Sequence, residues 1–336
     1  MEKTLKAATI GASDLLTLVR KNVGTHTLHA DARKPFRFLL CGDPGLVAEL
    51  RALLLLAGTD AFIPLDAASV LETIAPERRP TIIGADARCV IFLGRGGDLA
   101  GARLDLLQQL RLPIFALTVE PTVAAPAQPV SAPGPGEVAE YVVPRLDRES
   151  LRVRFYPHLI ERCKGIEVAV GRRLPALRET VATKLTRDAA SSALKIAAAS
   201  AVVDNVPILG IVLGAIASAG DTVAITGIQL VLMMQIAAAY GKDPDVQRIW
   251  ELLPVVGGGL GWRALSRELS GFVPVAGIAI KGAIAYAGTI VVGEGVGFYY
   301  QQGRHMTAAQ AQQIYEDRKR AAMSFARDVF ARFRKR

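Results

Sequence analysis

The chain is short of the residues from which most catalytic and metal centres are built, holding four histidines and three cysteines in 336 residues. Cys41, Cys89 and Cys163 are odd in number and widely spaced, which excludes a disulfide framework and a zinc knot and leaves reduced, buried thiols. His26, His29, His158 and His305 share no metal-ligand spacing with cysteines or carboxylates, and no Ser/His/Asp constellation can be assembled, so neither a catalytic nor a metal-binding residue is nominated. Aromatic residues make up 6% of the sequence and no recognisable nucleic-acid module accompanies the basic charge, so nucleic acid is not expected as a partner. The first 21 residues are interrupted by charge throughout and lack the apolar core of a secretory signal.

Charge itself is missing in a pattern. Residues 205–241 carry a single charged side chain, Asp221, and the 20 residues from Thr222 to Gly241 carry none, about the length that spans a hydrocarbon core. A second stretch, residues 269–303, is similarly rich in Ala, Gly, Ile and Val. The formal net charge of +9 lies beside these stretches, in 145–187 and 304–336. Basic flanks of this kind suit anionic lipid headgroups or, equally, solvated helix faces. Lys281 lies near the middle of the apolar run Val273–Val292, where a charge costs roughly 2.5–3.5 kcal/mol in a span, and argues for a helix that faces protein or water there or for a hairpin that enters only part of the bilayer.

Five segments follow from the texture of the chain. Residues 1–34 hold a modest helical pattern around Ser13, Leu15, Leu16, Leu18 and Val19. Residues 35–145 alternate short apolar strands (38–41, 61–65, 89–93, 114–119, 141–143) with helices (46–57, 99–110), the mark of a mostly parallel sheet with helices on its faces. A Pro/Ala-rich loop, 121–137, interrupts this region. Residues 146–204 form a basic helical connector in which Leu151, Phe155 and Leu159 recur at four-residue spacing, Pro157 must kink or restart the helix, and Pro175 opens the next helix. Residues 205–303 form a hydrophobic helical domain of two apolar helical hairpins, joined by a polar link over 242–251. Residues 304–336 form a basic amphipathic C-terminal helix, with Ala322, Phe325, Val329 and Phe333 along one side. The predicted fold class is therefore α/β plus all-α.

Within the hairpins, Asp221 is placed to cap a helix whose Thr222, Thr226 and Gln229 share one face, a polar stripe suited to a neighbouring helix. Gly210 with Gly214, and Gly293 with Gly297, form GxxxG pairs that let backbones approach closely.

The strand 38–41 followed by Gly42, Asp43, Pro44, Gly45 and a helix has the layout of a phosphate-binding loop. Aligned on the pattern GxxxxGK followed by Ser or Thr, the second glycine falls on Val47, the phosphate lysine on Ala48 and the magnesium-binding hydroxyl on Glu49. A carboxylate there repels phosphate and no cation neutralises it. Asp66, after the strand expected at 61–65, imitates a magnesium-linked aspartate, but Ser69 replaces the glycine that should follow. The place of a guanine-reading Asn/Thr-Lys-x-Asp holds Thr118, Val119, Glu120 and Pro121. Gly94, Gly96 and Gly97 lack dinucleotide-turn spacing. No cofactor is therefore assigned.

The segments LPALRETVATKL, AGDTVAITGIQLVLMMQIAAAYGKD, LLPVVGGGLGWRALSREL and FVPVAGIAIKGAIAYAGTIVVGEGVGFYYQQG, together covering about residues 170–305, resemble the domain of unknown function 697. That hydrophobic helical domain follows Era-like GTPase domains in bacteria, and its relatives are commonly described as membrane-associated. The resemblance implies that the N-terminal half is a degenerate P-loop GTPase-like parallel sheet. It also implies a bacterial inner-membrane location, on the cytoplasmic face or embedded, with transmembrane helices, a lipid membrane as partner, and a protein partner or homo-oligomer. The expected function is a non-hydrolysing scaffold or partner-binding protein, not an enzyme. The alternatives are a nucleotide-dependent switch with contacts outside the standard motif, and a soluble homo-oligomeric interaction protein.

Overall fold

The strands are β1 (Arg37–Gly42), β2 (Leu71–Thr73), β3 (Ala87–Arg95), β4 (Ile114–Val119) and β5 (Val138–Val143), all but the Leu-Glu-Thr of β2 formed around short apolar runs bounded by turn residues. They belong to a computed structural model that describes residues 25–56, 62–75, 84–96, 98, 104–121, 131–199, 221–257 and 278–333. The strands pair in the order β2-β1-β3-β4-β5, each pair parallel. The interior of β1 and the first five residues of β4 are buried without alternation, as parallel strands covered on both faces require.

The helices of this part of the chain are α1 (Thr25–Arg33), α2 (Pro44–Leu55), α3 (Leu104–Gln108), α4 (Arg148–Arg154), α5 (Tyr156–Glu161) and α6 (Glu167–Arg173), of which α2 packs on β1 and β3 and α4 on β5. Leu39, Cys41, Val90, Phe92, Leu107 and Ile114 form one cluster of the core. Elsewhere Phe115 stacks on Tyr141 at 5.6 Å and meets Phe155 edge-on at 5.8 Å. Of the two outcomes expected at Pro157, the restart is present: α4 ends at Arg154, Phe155 separates the helices, and α5 begins at Tyr156 with Pro157 in its first turn, where the missing N–H costs nothing. Leu151, Phe155 and Leu159 are all fully buried.

The strand expected at 61–65 does not form over its described residues, 62–65. Pro64 has no N–H to give a ladder, and Leu65 is wholly exposed. The strand of this region comes later, as β2, after a 3-10 turn at Ala67–Val70. Of the helix expected over 99–110, the described part is α3. The N-terminal pattern around Ser13, the loop over 122–130 and the Gly210/Gly214 pair lie outside the described residues.

Beyond Arg173 the chain is helical, with α7 (Arg178–Ala199), α8 (Asp221–Ala239), α9 (Val246–Gly257), α10 (Ile278–Gln302) and α11 (Ala308–Phe333). Pro175 opens a 3-10 turn that runs into α7. The polar link over 242–251 is shorter than expected, because Asp245 caps α9 by accepting from Arg248 N at 3.1 Å. The described chain groups into two compact units, one made of Ala30–Val181 with Ala238–Lys242, the other containing Ala182–Ala237 and Asp243–Arg336.

In the helical unit, Ala193, Ala197, Ile225 and Ala285 from α7, α8 and α10 share a small-residue core. The polar stripe meets its neighbour: Gln229, 3% exposed, donates to Thr289 Oγ1 at 3.3 Å, and Thr226 is buried with it. A Cβ on Gly293 would lie 2.1 Å from Thr186 Oγ1, whereas one on Gly297 would meet Ala182 at 3.9 Å, so the second GxxxG pair does bring α10 against α7. Gly303, with φ +65°, ends α10, and α11 opens on a reciprocal cap. Gln310 N donates to Thr307 Oγ1 at 3.2 Å, and Thr307 N to Gln310 Oε1 at 3.0 Å.

These helices correct the membrane expectation. Among the described residues no helix is long and apolar enough to cross a membrane. Leu232, Met234 and Ile236 of α8 and Ala283, Ala287, Thr289 and Val296 of α10 are all buried within the chain itself. A helix apolar all round can be a core helix as well as a span, and hydropathy does not separate the two. The embedded location and the transmembrane helices are therefore set aside. Lys281 lies near the start of the described part of α10. In α11, no side chain from Ala308 to Ala321 is buried, and the expected apolar side at Ala322, Phe325, Val329 and Phe333 lies outside the described side chains.

Candidate functional site

In open α/β sheets ligands bind outside the carboxyl ends of the strands, where the strand order reverses. Here the chain goes from β1 to β2 on one side and then crosses to β3 on the other side of β1, so that point lies beyond Gly42 and Arg95. One residue, Asp43, joins β1 to α2. Gly42 takes φ +108°, and a Cβ there would stand 2.0 Å from Leu93 O, so only glycine lets β1 turn this close to β3. Asp43 N then donates to Leu93 O at 2.8 Å.

The start of α2 is the natural anion seat of this edge, because its first N–H groups point outward and carry the positive end of the helix dipole. The chain fills that seat itself. Asp43 Oδ1 accepts from Leu46 N at 2.9 Å, and Pro44 in the first turn brings no N–H of its own. Arg95 Nε stands 3.9 Å from Asp43 Oδ2, so the nearest cation also faces the internal carboxylate. Arg95 N donates to Asp98 Oδ2 at 2.6 Å, and Glu120 crowds Gly96, where a Cβ would be 2.8 Å from Oε1. The edge thus gathers Asp43, Asp98 and Glu120 around one arginine. Such a rim repels phosphate.

The predicted phosphate-loop positions fare accordingly. Val47, Ala48 and Glu49 lie in the body of α2, with Val47 packed in the core and the other two exposed. Asp66 is not at this edge at all: it precedes β2, at the amino end of the sheet, and pairs with Arg173 at 3.0 Å. Ser69 Oγ donates back to Asp66 O at 2.7 Å. Thr118 is buried in β4 and donates to Glu140 Oε1 at 3.0 Å, while Glu120 N bonds Val143 O at 2.9 Å, so this run is committed to the sheet. Gly94 ends up within β3, and Gly97 lies outside the described residues.

Sequence reasoning missed two features. Asp43 followed by Pro44 is an N-cap signal ahead of a helix, legible in principle. The second is the buried Arg178. Arg178, 3% exposed, donates to Gly171 O at 3.2 Å and Phe62 O at 2.6 Å, and its guanidinium lies 5.9 Å from the Phe62 and Tyr240 rings. Gly241, at φ +86°, admits Phe62, since a Cβ would lie 2.0 Å from its ring. Only a long guanidinium reaches so many carbonyls, and no local pattern announces it.

Burial pushes the Cys41 thiol up to about 12. Burial also raises Cys89 well above its ordinary value, with Cys163 adding to it. Neither has the lowered value of a reactive thiol. Among the described residues, no group of three or more His, Cys, Asp or Glu side chains is placed to hold a metal ion. Comparison with protein-family models, curated proteins and solved structures found no match.

Proposed function

We propose that the protein is a scaffold or partner-binding protein whose α/β unit is a degenerate, GTPase-like domain without nucleotide turnover. Its helical unit resembles the domain of unknown function 697 and is held together by small-residue helix packing. The observation that carries this reading is the Asp43 carboxylate bound to Leu46 N. A one-residue connection leaves no backbone to wrap a phosphate, and an internal anion already occupies the helix start. The acidic rim of Asp98 and Glu120 supports it further. Titration calorimetry of the full chain with GTP, GDP and ATP, each with magnesium, is expected to show no binding heat. Saturable heat with any of them, lost in Arg95→Ala, overturns the proposal.

A further inference from the structure

Among the described residues the parallel sheet ends at β2 on one side and β5 on the other, and a sheet edge presents unpaired carbonyls and N–H groups to any passing strand. The ladder shows which carbonyls these are. Ile74 N donates to Leu40 O at 2.8 Å, so by the alternation of a parallel ladder Glu72 faces β1 and Leu71 and Thr73 face outward from the β2 edge. At the other edge, Ile114 N takes Glu137 O and Glu120 N takes Val143 O, both at 2.9 Å, so Ala139 and Tyr141 also face β4, while Val138, Glu140 and Val142 face outward.

Each outward row is met by an arginine from a covering helix. Arg51 of α2 donates through Nη1 to Leu71 O at 2.8 Å and through Nη2 to Ala68 O at 3.1 Å. Arg154, the last residue of α4, donates through Nη1 to Val142 O at 3.4 Å. Beside it Glu140 puts an exposed carboxylate on the same strand. The two arginines come from different helices and opposite edges, yet do the same thing: each takes an outward carbonyl and lays a charge along the edge.

We propose that Arg51 and Arg154 are edge guards, which close both sides of the sheet to strand addition, so that neither a second copy of this chain nor an extended peptide continues it. The inference is independent of the reading given under Proposed function, since it concerns the edges and not the carboxyl end of the sheet. A partner must then use the helical faces.

The test uses the full chain carrying Arg51→Ala and Arg154→Ala together. Light scattering across a concentration series is expected to show mass rising above the parent's, and hydrogen exchange is expected to show slower exchange at Val138, Glu140 and Val142. A folded double variant with the parent's mass at every concentration and unchanged exchange overturns the proposal. Should the double variant not fold, Arg154→Ala alone carries it. A fluorescent peptide with the β5 sequence, Val138–Val143, is expected to bind this variant and not the parent, and equal binding to both, or to neither, overturns the proposal.

Discussion

Single side chains decide what the carboxyl edge of the sheet can do. Asp43 supplies the bond that α2 otherwise lacks at its start, so Asp43→Ala is expected to lower stability by about 1 kcal/mol, and Asp43→Asn, which keeps an acceptor, by much less. Denaturant midpoints of the two variants check the order. Tyr156 behaves in the opposite sense. Its ring is fully buried, its hydroxyl finds no hydrogen-bond partner among the described residues, and burial pushes the phenol well above its usual range. Tyr156→Phe keeps the packing and removes the orphan, so it is expected to leave the thermal midpoint unchanged or raise it.

Among elements, the contact of α10 with α7 shows why equal letters in a motif are not equal in space. Gly293 faces Thr186 so closely that Gly293→Ala must push the helices apart, and a loss of about 1–3 kcal/mol is expected. At Gly297 the nearest atom to an added Cβ is Ala182 at 3.9 Å, an ordinary contact. Gly297→Ala is therefore expected to gain up to about 1 kcal/mol from helix propensity. Thermal denaturation of the pair, read for opposite signs, tests the interface. Strand legibility follows similar logic. The runs at β1, β3 and β4 are apolar, continuous and bounded by turns, and they stand where the sequence places them. β2 was hidden because it has three residues and one buried side chain, and depends on β1 and Arg51 for its place. Ile63 next to Pro64 looked like a strand only to a reading that overlooked the missing donor.

For the whole molecule, the solvent of the apolar helices was the least legible property. Composition reports that α8 and α10 avoid water. It cannot report whether lipid or the chain itself replaces water, and here the chain does. The residues that the phosphate-loop pattern requires were legibly missing from the sequence, but the helix that begins at Pro44, one residue after β1, emerges only when the strand end and helix start are both in place. Buried protons give a measurable property of the molecule at large. Cys41 is raised from 9.0 to about 12 and Tyr141 from 10.0 to about 12, both mainly by desolvation. The fold holds these groups protonated, so their contribution is complete below pH 9 and is lost as pH rises toward 12. Thermal midpoints are expected to fall across that window, and Cys41→Ala to flatten part of the slope. Native thiols are expected to resist alkylation until denaturant is added.

The single-residue join after β1 sets a limit on what substitution can achieve. Replacing Val47, Ala48 and Glu49 by the letters of a nucleotide motif would only decorate the flank of a rod. Building an oxyanion pocket at this edge is a question of chain length, to be met by inserting backbone ahead of Pro44.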